Sequence, residues 1–322
     1  MKRRGVLAGS MAAFIPRLGR AQAFPDHPLR FVVPYVPGGS TDTSARIVAD
    51  KLAQILGQPV VIENKAGGGT IIGTEYVAHS RPDGYTLLLS PAALIANAAF
   101  GVKVPYDIDK DLTPVTGLVD LAVLLAASNE APFKSVAELI AYAKADPDRT
   151  IPYASAGVGS LTHLWGEFVK ARTKLPLEHV GYKGSADALK DVMAGHVPLF
   201  SDVLVPTATS IRAGKVRGLA VATMERVALL PDVPTVGQAG LPGTECTIPF
   251  GVSVAAGTPS ELVARLNAAF NEALADSIVR SKLIELGFLP VGGKPEAYRE
   301  VTMREIAKWR QVIKDSNIPP PN

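Results

Sequence analysis

Several features that identify common protein classes are missing from this chain. Cys246 is its single cysteine, so no disulfide can form within it. The motifs Gly-x-Gly-x-x-Gly, Gly-x4-Gly-Lys-Ser/Thr and Gly-x-Ser-x-Gly do not occur, which removes the usual signatures of dinucleotide, phosphate-loop and serine-hydrolase sites. The five histidines are scattered without metal-ligand spacing. We therefore expect no cofactor, no metal and no enzymatic activity, and a fold that depends on its hydrophobic core.

An excess of positive charge is also absent once the N-terminus is set apart. The chain has 33 Lys+Arg against 30 Asp+Glu, and five of these cations precede residue 24. The remaining balance is 28 minus 30, or −2. No later window combines clustered Lys and Arg with aromatic residues, so we expect no nucleic-acid partner.

The first 23 residues have the pattern of an export signal. Lys2, Arg3 and Arg4 form a basic head, residues 6–15 are a short apolar run, and Ala21-Gln22-Ala23 matches an A-x-A cleavage site. The apolar run is too short for a permanent membrane anchor. The twin arginines and weakly apolar core favour a twin-arginine signal. We expect cleavage after about Ala23 and an exported mature chain.

Past the signal, short apolar strands alternate with amphipathic helices in two series. The first predicts strands at 29–34, 59–63 and 85–90 with helices at 41–56 and 70–79. The second predicts strands at 151–154, 177–180 and 197–200 with helices at 135–145, 160–171 and 185–194. This order predicts parallel sheets with helices on both faces.

Two domains are expected from these series. Apolar runs at 118–126 and 216–222 are predicted to be crossover strands, and helices at 259–274 and 295–313 to return to the first sheet. Domain 1 would comprise residues 24–120 and 224–322, and domain 2 residues 121–223. In open α/β sheets ligands bind beyond the carboxyl ends of the strands, so a ligand would lie between the two domains.

Glycine turns join strands to helices in the first series. Gly38-Gly39-Ser40 precedes one helix, with Ser40 or Thr41 as N-cap, and Gly67-Gly68-Gly69-Thr70 precedes the next. Free backbone N–H groups and the positive end of a helix dipole favour an anion there, so these turns predict a pocket for a small carboxylate. Asp42 is expected to be structural, because its charge would repel an anion; a contact to a ligand amine or bridging water is the alternative.

Motifs that run in order along nearly the whole mature chain resemble the Bug (Bordetella uptake gene) solute-binding proteins. They include Val33-Pro34-x-x-Pro37-Gly38-Gly39-x-x-Asp42, Pro82-Asp83-Gly84-Tyr85, His179-x-x-Tyr182-Lys183-Gly184 and Leu230-Pro231-Asp232-Val233-Pro234. That family consists of periplasmic receptors that pass small carboxylates to tripartite tricarboxylate transporters. The resemblance implies a type II periplasmic binding protein: two doubly wound α/β domains joined by two crossover strands, with a ligand cleft between them. It also implies a periplasmic location and a mono- or dicarboxylate ligand.

The resemblance extends the site into the second domain. Residues 155–160 are similar to the family's Ser-x-Gly-x-Gly-Ser loop, which would contact the distal end of the ligand. His163 would stabilise the next helical turn or touch ligand, Lys183 would pair with a carboxylate or be solvated, and Asp202 would orient a loop or accept from a ligand donor. The expected ligand-binding set is Tyr35, Gly38, Gly39, Ser40, Asp42, Gly69, Thr70, Ser90, Ser155, Gly157, Gly159, Ser160, His163, Tyr182, Lys183, Gly184 and Asp202.

Other functions stay open at this point. A soluble exported hydrolase would use Ser160 with His163 and Asp202, and a binding protein of the same fold could serve a membrane sensor kinase instead of a transporter. For a receptor we expect a monomer with a small carboxylate and membrane components as partners. Gly181 and Ser201 depart from the family pattern of a proline and an aromatic residue near the presumed cleft, which bears on the identity of the ligand.

Overall fold

The computed structural model describes residues 24–146 and 148–320. The expected export signal at residues 1–23 lies outside the described residues. Among the residues that are described, none of the helices combines the length and the apolar character that a membrane crossing requires.

Residues 29–90 form the parallel βαβαβ unit that the sequence predicts. β1 (Leu29–Val33) lies between β2 (Val60–Asn64) and β3 (Thr86–Ser90) and is parallel to both. α1 (Ser40–Leu56) and α2 (Ile71–Ala78) connect these strands. α1 buries Ala45, Val48 and Leu52 along one face, and it ends at Gly57, whose φ of 68° is left-handed.

A second parallel unit follows the same rules. β5 (Ile151–Ser155) lies between β6 (Leu177–Gly181) and β7 (Leu199–Val203) and is parallel to both. The helices around it are α4 (Val136–Lys144), α5 (Leu161–Thr173), α6 (Ser185–Met193) and α7 (Leu204–Arg212). Because the three strands are parallel, residues 155, 181 and 203 lie at one edge of this unit.

The long strand β4 (Leu112–Ser128) joins the two units. Its residues 112–122 pair antiparallel with β9 (Thr247–Ala255), and its residues 123–127 pair antiparallel with β7. β10 (Phe288–Gly292) also pairs with the first part of β4, and β8 (Val216–Val221) pairs with the second part. β4 therefore belongs to two half-sheets: the first has the order β2-β1-β3-β9-β4-β10 and the second β8-β4-β7-β5-β6.

The helices α3 (Ala92–Phe100), α9 (Ser260–Ala275), α10 (Ser277–Glu285) and α11 (Pro295–Asp315) cover the first half-sheet. Of these, α9 and α11 were predicted from the sequence. The short helix α8 (Val236–Ala239) packs on β8 of the second half-sheet. α9 and α10 pack on α1, while α11 packs on α3 and β4. The fully buried side chains of Trp165, Trp309, Phe31 and Phe270 lie in the core that these layers enclose.

The structure corrects three predictions. The first half-sheet is not purely parallel, because β9 lies antiparallel between β3 and β4. The run predicted as a crossover at 216–222 forms β8 and stays in the second half-sheet, and the strand that returns to the first is β9. β7 is Leu199–Val203 rather than residues 197–200.

Candidate functional site

The loop after β1 leads directly into the N-terminus of α1, which is called the head of the helix below. Gly38 has a φ of 83°, which favours glycine, and Gly39 is the N-cap with φ −73° and ψ 167°. The prediction of Ser40 or Thr41 as N-cap is therefore wrong by one or two residues. Thr43 N–H donates to the Gly39 carbonyl, so the amides of residues 40–42 have no acceptor within the helix. These N–H groups can bind an anion.

Asp42 is bonded within its own loop. Its carboxylate accepts hydrogen bonds from the Gly38 N–H at 3.0 Å, from the Arg46 guanidinium at 2.9 Å and from Asn64 Nδ2 at 2.9 Å. Burial acts to raise the pKa of Asp42, but the hydrogen bonds from Arg46, Gly38 and Asn64 outweigh it, so the pKa lies below its usual value. These contacts favour the structural role for Asp42. Asn64 and Arg46 were not recognised from the sequence.

The loop after β2 contains an unusual threonine. Gly67, Gly68 and Gly69 all have positive φ, and Thr70 follows with a φ of 80°. A β-branched residue rarely adopts this left-handed conformation. The Thr70 side chain is buried, and its Oγ1 has no hydrogen-bond partner. Strain together with an unpartnered buried hydroxyl makes Thr70 a strong candidate for a ligand contact.

Tyr35 and Ser90 are packed against neighbouring strands. The Tyr35 ring lies 6.4 Å from the Phe250 ring, and burial raises the pKa of its phenol. Ser90 is buried at the end of β3, and its Oγ lies 2.8 Å from Ser253 Oγ on β9. Tyr35 follows the carboxyl end of β1 and Ser90 is the last residue of β3, but the Ser90 hydroxyl is bonded within the sheet.

The glycine loop after β5 is largely bonded to itself. Gly157 N–H donates to Ser155 Oγ at 3.2 Å, and Ser160 Oγ donates to the Gly157 carbonyl at 2.7 Å. Gly159 N–H donates to His163 Nδ1 at 3.1 Å. The side chains of Ser155, Ser160 and His163 therefore shape this loop in the described conformation, and they engage two amides that the sequence suggested for the ligand.

The loop after β6 contacts that glycine loop. A Cβ on Gly157 would lie 2.7 Å from the Tyr182 carbonyl oxygen, so only glycine fits there. The Tyr182 hydroxyl donates to Asp191 at 2.8 Å, and burial together with this carboxylate raises the pKa of Tyr182 to about 12. Lys183 is exposed, and Gly184 is the N-cap of α6.

Asp202 is a buried carboxylate at the carboxyl end of β7. Its Oδ1 accepts the Val203 N–H at 2.7 Å, and its Oδ2 has no hydrogen-bond partner. Burial raises the pKa of Asp202 to about 6, although the nearby Ser185 hydroxyl and the Val203 N–H act in the opposite direction. A buried carboxyl group with one unpartnered oxygen can accept a hydrogen bond from a ligand donor, whereas its charge would repel a ligand anion.

The catalytic arrangement considered above is not assembled. Ser160 Oγ accepts from the His163 backbone, and the Nδ1 of His163 accepts from Gly159 rather than contacting Ser160. Asp202 is bonded to Val203. These three side chains therefore do not form the hydrogen-bonded series that activates a serine nucleophile. In the part of the chain that the structure describes, no group of His, Cys, Asp and Glu side chains could hold a metal ion.

A crevice of about 380 Å³ lies between the two half-sheets. Three helices begin at its wall: Gly38 and Thr43 come from the head of α1, Ser185 from the head of α6, and Val203 and Pro206 from the head of α7. The described residues that line it carry no charge; Val205, Leu286 and Phe288 complete the lining. Gly38 is the predicted site residue among them. Ser185 and the α7 head were missed, although both follow strand ends.

Comparison with known proteins identifies the family of the chain. Residues 44–318 match the family model described as tripartite tricarboxylate transporter family receptor, TctC. The chain is 35% identical over 298 residues to protein BugT of Bordetella pertussis, covering 92% of this chain and 91% of BugT.

Two solved structures extend the comparison to the fold. An R. palustris protein solved with adipate is 36% identical, has a TM-score of 0.80, and the match covers 92% of this chain and 100% of that one. MatC from Rhodopseudomonas palustris with bound malate is also 36% identical, with a TM-score of 0.74 and coverage of 90% and 100%. The fold is therefore that of a periplasmic binding protein, and the chain belongs to the TctC family of tripartite tricarboxylate transporter receptors, which includes the Bug proteins.

Proposed function

We propose that this protein is an exported receptor that captures a small mono- or dicarboxylate in the periplasm and delivers it to the membrane components of a tripartite tricarboxylate transporter. The observation that carries this proposal is the crevice at which α1, α6 and α7 all begin. Membership of the TctC family supports the transport role. Export would follow cleavage after about Ala23, and the receptor would act as a monomer without catalysing a reaction.

Backbone groups can supply the binding energy. The amides of residues 40–42 and the positive ends of three helix dipoles favour negative charge in the crevice. A few charge-assisted hydrogen bonds, each worth about 1.5–3 kcal/mol, offset the desolvation of a carboxylate and the cost of association. A net binding free energy of about −8 kcal/mol, or micromolar affinity, follows without a buried salt bridge.

Closure of two domains would bury the ligand. We assign residues 24–120 with 224–322 to one domain and residues 121–223 to the other. The connections between them lie side by side, because Ala222 N–H donates to the Val123 carbonyl of β4 and Cys246 N–H donates to the Ala222 carbonyl. Adjacent connections favour a hinge motion about a single axis.

Calorimetry with purified mature protein tests the proposal. Adipate and malate are the first probes, because two relatives were solved with these dicarboxylates. Acetate, succinate and an uncharged diamide analogue complete the panel. We expect at least one carboxylate to bind at micromolar concentration without metal or nucleotide, and the diamide not to bind. A panel without any binder would count against the proposal, and turnover of a bound ester would favour a hydrolase.

A further inference from the structure

Two histidines stack behind the glycine loop of the second half-sheet. His163 lies in the first turn of α5 and His179 lies on β6. Their ring centroids are 3.7 Å apart, with 22° between the ring planes. His163 is buried, and His179 is half-buried. The histidines are far apart in the sequence, and their contact is visible only in the fold.

Each ring is connected to one amide of the loop. Gly159 N–H donates to Nδ1 of His163 at 3.1 Å, so this nitrogen carries no proton and the neutral ring has its proton on Nε2. Nε2 of His179 lies 2.7 Å from Ser155 Oγ, and that oxygen accepts the Gly157 N–H at 3.2 Å. The conformation of residues 157–159 therefore depends on both rings.

A proton on Nδ1 of His163 would disrupt this arrangement. Protonated Nδ1 of His163 would face the Gly159 N–H as a second donor, and two stacked cations would repel each other. The ring of Tyr153 on β5 lies 5.1 Å from His179, and its hydroxyl donates to Glu167 on α5 at 2.8 Å. The positive charge of Lys170 on α5 adds to the repulsion of a proton on His163.

The surroundings keep both rings neutral. Burial lowers the pKa of His163 to about 3, with smaller contributions from His179 and Lys170. Burial also lowers the pKa of His179 to about 4. Both rings are therefore neutral in the folded protein near neutral pH.

We propose that His163 and His179 are positioning residues: stacked as neutral rings, they fix residues 155–160 in the conformation that captures ligand, and a proton on Nδ1 of His163 releases that loop. The expected effect on ligand affinity rests on the proposed function, whereas the expected effect on the conformation of the loop does not. Neither histidine is required to touch the ligand.

The loop effect can be measured on the whole mature chain without ligand. In ¹⁵N-labelled protein we expect His163 to be the Nε2–H tautomer and neither ring to titrate between pH 8 and pH 5. Amide hydrogen exchange at Gly159 should be about tenfold faster in His163→Phe, which keeps a planar ring but loses the acceptor. His163→Asn places an oxygen near the position of Nδ1, so its Gly159 exchange should stay within about threefold of the wild type.

The matched control is His79→Phe, because His79 is exposed at the end of α2. It should leave Gly159 exchange unchanged. A His163 that titrates in the folded wild type near its ordinary pKa of about 6.5 would overturn the proposal, and this measurement needs no variant. Equal Gly159 exchange in His163→Phe and the wild type would also overturn it.

Adipate and malate separate this inference from the proposed function. If either binds the wild type, we expect about tenfold weaker binding to His163→Phe and recovery in His163→Asn, and equal affinity in all three proteins would overturn the role in ligand capture. If neither they nor the rest of the carboxylate panel binds, the proposed function fails. The tautomer, titration and exchange measurements would still decide whether the pair positions the loop.

Discussion

At the scale of single residues, Gly39 offers a direct test of the anion site. Its φ of −73° and ψ of 167° are accessible to any L residue, and a Cβ there would meet only the Val36 carbonyl at 3.9 Å. Gly39→Val should therefore fold, with a change in stability of about 1 kcal/mol or less. Its side chain would cover the amides at the N-terminus of α1. Calorimetry should therefore show that the carboxylate identified by the panel binds at least tenfold more weakly than to the wild type.

The head of α11 supplies a matched control for that substitution. Lys294 is the N-cap of α11, with φ −78° and ψ 154°, and it is exposed. Lys294→Val places the same side chain on nearly the same backbone conformation at a helix that does not begin at the crevice. Its binding should equal that of the wild type. Unchanged affinity in Gly39→Val would remove the α1 head from the site.

The second residue-scale prediction concerns the buried carboxylate of Asp202. Its pKa is raised from 3.8 to about 6, so the folded protein retains this proton between pH 4 and pH 6 while the unfolded chain loses it. The contribution of Asp202 to stability therefore falls as pH rises through this window, by about 3 kcal/mol in total. Asp202→Asn avoids the charge, and should be more stable than the wild type by up to that amount at pH 7.

Urea denaturation of both proteins at two pH values measures this effect. The advantage of Asp202→Asn should shrink to about 1 kcal/mol at pH 4.5, where the wild-type carboxyl is mostly protonated in the folded state. Comparison at equal pH cancels the contribution of every other titrating group. A stability difference that is the same at both pH values would show that the carboxyl does not carry an elevated pKa.

At the scale of secondary structure, α1 could be predicted from the sequence whereas α3 and β9 could not. α1 has one buried face and one solvated face, so its period is visible in the sequence, and its predicted end at Leu56 is confirmed. α3, with the sequence AALIANAAF, has little polar face, and eight of the nine residues of β9 are buried. Neither segment has the alternation that distinguishes a helix from a strand, so neither was predicted.

The candidate site shows a similar limit. Glycines and hydroxyl residues after strand ends were recognisable from their pattern, and the structure places them at the carboxyl edges of the parallel strands. Whether an amide is free for a ligand depends on local partners, such as Ser155 for Gly157 and His163 for Gly159. Ser185 and Pro206 line the crevice only because the half-sheets face each other. Such tertiary contacts leave no local signal in the sequence.

The contact between β9 and α11 gives an element-scale prediction. A Cβ on Gly251 would lie 2.2 Å from the Tyr298 ring, which is buried. Gly251 pairs with Ser90 on one side and Gly117 on the other, so its backbone cannot move away from α11 without disturbing both ladders. Gly251→Ala should destabilise the protein by about 3 kcal/mol in urea denaturation.

Gly184→Ala is the comparison for that substitution. The φ of Gly184 is 167°, an extended conformation that alanine adopts, and nothing lies within 4 Å of the added Cβ. We expect its stability to change by about 1 kcal/mol or less. If both alanine variants were equally stable, β9 and α11 would be packed less closely than the Gly251 contact indicates.

At the scale of the whole molecule, the stacked histidines and Asp202 contribute in opposite senses to the response of stability to acid. The lowered pKa values of His163 and His179 stabilise the folded protein above pH 6.5, and this stabilisation is lost as the pH falls towards 4, because the unfolded chain takes up the protons first. The raised pKa of Asp202 acts in the opposite sense over pH 4–6. The histidine shifts are larger, so the wild type should be less stable at pH 5 than at pH 7.

The expected net loss between pH 7 and pH 5 is on the order of 1 kcal/mol, after a discount for the partial solvent exposure of His179. Asp202→Asn removes the group that opposes the loss of stability, so the loss should be larger in this variant. His163→Asn removes one of the two histidines whose protonation in the unfolded chain causes the loss, so the loss should be smaller. Urea midpoints of the three proteins at both pH values give this order directly. A wild type that gains stability at pH 5, or a larger loss in His163→Asn than in Asp202→Asn, would mean that the stacked histidines take up protons in the folded state near pH 6.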